Sequence, residues 1–126
     1  MISHNKNIWF DFLSTPQFNF LMPLHNYLSE KHQTFITARK MDELLYLLSK
    51  SNYKYIECGD YSGRNRLNKF LGLITRNLTL LNLLPNFDFS ISCGSPNASQ
   101  LSKLRSKKSI IFDDNDTSPN WLYSKF

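Results

Sequence analysis

The chain predicts an α/β fold: a five-stranded parallel sheet in the order 3-2-1-4-5, with helices on both faces. Three observations predict it. Short apolar runs of strand length alternate along the chain with segments of helical periodicity. No hairpin signal joins neighbouring strands. The length of 126 residues, 41% hydrophobic and 20% charged, suits a single domain over residues 1–126 with a core of its own. The same figures exclude a generally disordered chain, and no apolar run approaches the roughly 20 residues that cross a bilayer.

The elements follow in order. Ile8-Trp9-Phe10-Asp11-Phe12-Leu13 is a short apolar run of the kind buried inside a sheet. After Ser14-Thr15-Pro16, the residues Phe18, Leu21, Met22, His25 and Leu28 recur at helical spacing, with Ser14 or Thr15 as N-cap and Pro16 in the first turn. Pro23 lies inside that pattern and predicts a kink or a late helix start. Thr34 to Thr37 predicts a second strand. Asp42 to Ser49 predicts a second helix, with Leu44, Leu45, Leu47 and Leu48 inward. Tyr53 to Cys58 predicts a third strand ending at Gly59. The longest periodic segment carries Leu67, Phe70, Leu71, Ile74, Leu78 and Leu81 on one stripe, which is expected to pack on the sheet, and Pro85 closes it. Asp88 to Cys93, Pro96 to Arg105 and Ser109 to Phe112 complete the alternation as strand, helix and strand. A short terminal helix is expected after Thr117-Ser118-Pro119. Its Trp121, Leu122, Tyr123 and Phe126 either pack on the same core or await a downstream part, and in the second case they favour self-association.

Charge narrows the classes of partner. Residues 1–63 carry six basic and six acidic side chains, residues 64–126 nine and four, so the net charge of +5 arises in the second half. Arg64, Arg66, Lys69, Arg76, Lys103, Arg105, Lys107 and Lys108 fall on the polar faces of helical patterns. That placement predicts solvated faces and no nucleic-acid partner. Cys58 and Cys93 make neither a disulfide framework nor a metal site, and the polar N-terminus lacks the design of a signal peptide. A cytoplasmic protein with reduced thiols is expected.

Candidate chemistry lies beyond the carboxyl ends of the strands, where open parallel sheets bind ligands. Ser14, Thr15, Thr37, Arg39, Gly59, Asp60, Gly94, Ser95, Asn97, Asp113 and Asp114 fall there. In Ser92-Cys93-Gly94-Ser95-Pro96-Asn97 the glycine permits close backbone approach, and the next helix offers free amides to an anion. Ser95 is either a donor to a phosphate or sugar hydroxyl or a plain N-cap, and Arg39 either a charged ligand contact or a helix cap. Thr15 and Asp114 suit sugar hydroxyls, and Asp114 is the best candidate for a catalytic base. Asp113, Asp114 and Asp116 are expected to form a solvated turn rather than a metal site. Dinucleotide and P-loop binding are excluded because Leu13-Ser14-Thr15-Pro16 holds no glycine cluster and no GxxxxGK[ST] occurs. A phosphoacceptor domain fails because Ser14 and Thr15 replace the acidic pair after the first strand and Asp113 replaces the lysine after the fifth. No cofactor is expected.

The same loops carry a resemblance. Ile8-Trp9-Phe10-Asp11 with Thr15-Pro16 and Phe20, then Thr37-Ala38-Arg39, then Ser92-x-x-Ser95-Pro96, then Phe112-Asp113-Asp114 occur in one order. This order is similar to the amino-terminal half of a prokaryotic family, domain of unknown function 354, which resembles GT-B glycosyltransferases and UDP-N-acetylglucosamine 2-epimerases. The resemblance implies a Rossmann-like three-layer α/β/α domain, a sugar or sugar-nucleotide ligand, and a second domain, separately encoded or downstream, that completes the cleft. It implies the amino-terminal half of a sugar-nucleotide-dependent enzyme, glycosyltransferase-like or epimerase-like, inactive alone. The alternative is a non-catalytic module that recognises a glycan or an anion. The glycine-rich first loop of several glycosyltransferases is replaced here by Ser14-Thr15-Pro16.

Overall fold

The computed structural model describes residues 5–60 and 65–112. The expected terminal helix lies outside the described residues. The elements run β1 (Asn7–Phe12), α1 (Thr15–Ser29), β2 (Gln33–Lys40), α2 (Asp42–Lys50), β3 (Ile56–Asp60), α3 (Arg66–Leu83), β4 (Phe89–Ser92), α4 (Pro96–Leu104) and β5 (Lys108–Ile111). The five strands form one sheet, ordered β3-β2-β1-β4-β5, and every pairing is parallel. The fold is Rossmann-like, as the alternation predicts.

β1 is central, paired from Asn7↔Gln33 to Phe12↔Ala38 on one side and from Ile8↔Phe89 to Asp11↔Ser92 on the other. Its side chains alternate between two cores. Ile8, Phe10 and Phe12 pack with Phe18, Leu21, Ile36, Leu44, Leu48 and Ile91 under α1 and α2. Trp9 points the other way, to Cys58, Leu80, Leu84, Phe87, Ala98 and Leu101 under α3 and α4. Both faces are covered, which explains why the strand is almost wholly apolar.

α1 runs unbroken through Pro23, contrary to the expected kink or late start. Pro23 and Asn19 are both exposed, so the carbonyl that a proline leaves unpaired one turn back faces water. β3 begins later than expected and carries a bulge. Between the pairs Ala38↔Glu57 and Lys40↔Asp60, β2 advances two residues and β3 advances three. Gly59 absorbs the extra residue with a φ of 85°, a conformation that favours glycine.

The main departure concerns α3. Its stripe of Leu67, Phe70, Leu71, Ile74 and Leu78 is exposed, and only Leu81 of the expected set is half-buried. The face on the sheet carries Arg76 and Leu80, with Leu84 following at the C-cap. The helix is rotated because a buried carboxylate on β1 requires a cation, and Arg76 supplies it. Arg76 therefore does not lie on a solvated face.

A candidate ligand crevice at the reversal of strand order

Strand order reverses between β1 and β4, so the loops after these two strands part and leave a crevice at the carboxyl edge of the sheet. Its volume is about 180 Å³, and Ser14, Pro16, Gln17, Phe20 and Cys93 line it. Gln17 fixes both walls. Its Oε1 accepts from the Leu13 amide at 2.9 Å, and its Nε2 donates to the Cys93 carbonyl at 3.2 Å. Arg39, at the end of β2, donates from Nη2 to the Leu13 carbonyl at 2.9 Å and so holds the same loop from behind. Phe20 is exposed at the mouth, with its ring 6.0 Å from that of Phe112.

The N-terminus of α1 opens on this crevice. Ser14 makes no side-chain capping bond, and the first turn holds no acidic residue. The partial positive charge there is met by no side chain of the helix's own first turn. The N-terminus of α4 is different. Ser95 caps it by accepting from the Ala98 amide at 3.1 Å, and the Ser95 hydroxyl donates to Asp11 Oδ2.

Asp11 is the centre of a buried network just beneath the loops. Arg76 donates to its two oxygens, from Nη1 to Oδ2 at 2.8 Å and from Nη2 to Oδ1 at 2.6 Å. Thr37 donates to Oδ1 at 2.7 Å and accepts from Trp9 Nε1 at 2.7 Å. Arg76 also donates to the Cys58 carbonyl and to Asn97 Oδ1. Asn97 passes its amide hydrogens to Asn77 Oδ1 and the Leu73 carbonyl. Burial alone would raise the Asp11 pKa, yet the charge of Arg76 and the bonds from Arg76, Ser95 and Thr37 outweigh it and hold the carboxyl below its ordinary range. Burial works against the Arg76 cation as well, and the Asp11 charge more than restores it.

The expected site residues therefore divide. Ser14 lines the crevice, and half-buried Thr15 lies next to it in the chain. Gly94 forms the opposite turn with a φ of 74°. Arg39 braces the β1–α1 loop from behind. Ser95 and Asn97 are buried, with their polar atoms turned inward to Asp11, Arg76, Asn77 and Leu73. Thr37 is buried in the same network. Asp113 and Asp114 lie outside the described residues. Sequence reasoning missed Gln17 and Arg76. The signal for Arg76 was the lone Asp11 in an apolar run, since a buried carboxylate needs a cation. Nothing in the spacing singled out Gln17.

Among the described residues, no group of three His, Cys, Asp or Glu side chains could hold a metal ion, and no helix is long and apolar enough to cross a membrane. Compared with known proteins, the chain matches no family model, no curated protein and no solved structure.

Proposed function

We propose that the chain binds the sugar or sugar-phosphate part of a nucleotide sugar in the crevice between its first and fourth strands, as the amino-terminal half of a glycosyltransferase-like or epimerase-like enzyme. One observation carries this reading: the uncapped N-terminus of α1, the Ser14 position and the exposed ring of Phe20 lie around one cleft where strand order reverses. Amides at a helix start suit a phosphate, and an exposed aromatic ring suits the apolar face of a sugar. The crevice holds about 180 Å³, less than the roughly 300–1,000 Å³ of pockets that enclose a whole small-molecule ligand. It takes one sugar ring or one phosphate, and a second domain would receive the rest. Binding by this chain alone is expected to be millimolar, about 4 kcal/mol.

A second reading, a binding module without catalysis, is favoured by the lining itself. Among the described residues, the lining side chains Ser14, Pro16, Gln17, Phe20 and Cys93 include no carboxylate and no imidazole, and Asp11 is locked to Arg76. The enzyme reading places the base at Asp114. Titration with UDP-sugars and with free monosaccharides, followed by backbone amide shifts, tests both. Shifts centred on Thr15, Gln17 and Gly94 are expected. A folded sample with no response there at several millimolar ligand would overturn the binding site. Turnover lost in Asp114→Asn would favour the enzyme, and binding without turnover in the presence of the candidate second domain would favour the module.

A further inference from the structure

The outer face of α3 carries a pattern with no role in the crevice. Leu67, Leu71, Ile74, Leu78 and Leu81 follow spacings of 4, 3, 4 and 3, the seam of a two-helix pairing. Leu67, Leu71, Ile74 and Leu78, with Phe70 beside them, are between 40% and 62% exposed. The sheet holds α3 by its opposite side, through Arg76 and Leu80, so Leu67, Leu71, Ile74 and Leu78 face outward, and Leu81 ends the seam half-buried against the core. We infer that α3 is the interface of a homodimer in which two copies pair antiparallel, seam to seam, about a two-fold axis at Ile74.

Three features select a second copy as the occupant. The seam is nearly the same read in either direction from Ile74, with Leu71 and Leu78 at three and four residues and Leu67 and Leu81 at seven. An antiparallel copy therefore sets Ile74 on Ile74, Leu67 opposite Leu81, and Leu71 within one residue of Leu78, close to the self-matching that an isologous contact requires. The positions flanking the seam are neutral: Asn68, Thr75 and Asn82 on one side, Phe70 and Asn77 on the other. Beside Asn68, Leu71 and Thr75 the sheet edge adds Lys40 and Glu57, one charge of each sign. Two copies of a chain of net charge +5 can thus meet here with little net charge at the contact, and Arg66 and Lys69 fall at opposite ends of the pair. The area is also sufficient. Half-exposed side chains of these sizes present about 500 Å² of apolar surface, at the upper end of what a monomer leaves uncovered. With the polar rim, this approaches the roughly 800 Å² per partner of a standard interface. The proposal does not depend on what the crevice binds.

Sedimentation equilibrium of the full chain tests it, with folding followed by circular dichroism. The wild type is expected to dimerise at about 100 µM or below. Leu71→Gln with Leu78→Gln is expected to keep the native spectrum and raise the dissociation constant at least tenfold, because both residues are exposed. Ile74→Cys in a Cys93→Ser background is expected to form a disulfide-linked dimer on mild oxidation, since this position meets itself across the axis. The control Ser49→Cys, exposed on α2, is expected not to do so. A wild-type monomer at every concentration would overturn the proposal by showing the seam open or covered by another part of the chain. A dimer unaffected by the double substitution would overturn it by placing the contact elsewhere, as would equal cross-linking at positions 74 and 49.

Discussion

Asp11 is satisfied by donors from three elements: Thr37 on β2, Arg76 on α3 and the α4 cap Ser95. Removing one charge strands the other, so Arg76→Met is expected to cost about 3–5 kcal/mol. Asp11→Asn with Arg76→Met should cost less than the sum of the two single changes, as read from urea midpoints. Gly59 belongs to the same unit. A Cβ there would lie 2.6 Å from Arg76 Cδ, on a backbone with φ of 85°. Gly59→Ala is therefore expected to lose about 3 kcal/mol through backbone strain and the displaced guanidinium. His25 adds a pH dependence from the other face. It is buried between Phe10 and Tyr53, with Nε2 2.9 Å from Thr34 Oγ1, and burial holds its pKa below the ordinary 6.5. Above that pH both folded and unfolded chains carry neutral His25, so its contribution is level. Below it the unfolded chain takes the proton first, and stability falls until the folded-state pKa is reached. His25→Gln should flatten the slope below pH 6.5 and leave the later acid loss tied to Asp11, whose lowered pKa acts as pH falls below 3.8. Urea denaturation across that range checks the sign.

At the scale of elements, α3 separates two demands that a sequence pattern merges. Its apolar stripe is real, but hydrophobic periodicity states only that a face seeks cover, not which surface supplies it. Arg76 decides the rotation because a buried Asp11–Arg76 pair cannot be broken cheaply, whereas exposed leucines cost little. Leu71→Asp in dilute solution is accordingly expected to change stability by no more than about 0.5 kcal/mol, and Leu80→Ala to lose about 2–5 kcal/mol. Thermal unfolding of both variants tests the rotation directly. The other elements were legible because each satisfies a local rule: Pro16 in the first turn of α1, Ser95 with Pro96 at the start of α4, Pro85 after the end of α3. The parallel order was legible from alternation. The crevice was legible as a location, through Ser14, Thr15 and Gly94, but not as a set of contacts. Ser95 and Asn97 stand at the correct edge and point inward, because their partners come from residues 84 and 21 positions away, which no local pattern reveals.

Across the whole molecule, the two cysteines report different events. Cys93 stands at the crevice wall, where its carbonyl receives the Gln17 amide, and it is half-buried. Cys58 lies in the core under α3 and α4, and burial raises its thiol pKa more than the nearby Arg76 charge lowers it. Thiolate, not thiol, reacts with alkylating agents, so Cys58 should stay unmodified until the sheet itself opens. Iodoacetamide at neutral pH is expected to modify Cys93 in the folded protein and Cys58 only as urea approaches the unfolding transition, with both sites read by mass spectrometry. Gln17→Ala removes the bond that ties the two loops and should speed Cys93 labelling while costing about 1 kcal/mol of global stability. Cys58 labelling should then stay slow, because the Asp11–Arg76 network holds the sheet beneath the loops independently of Gln17. Equal acceleration at both cysteines would mean that the crevice and the core open together. Unequal acceleration would establish the loop edge as a unit that moves on its own.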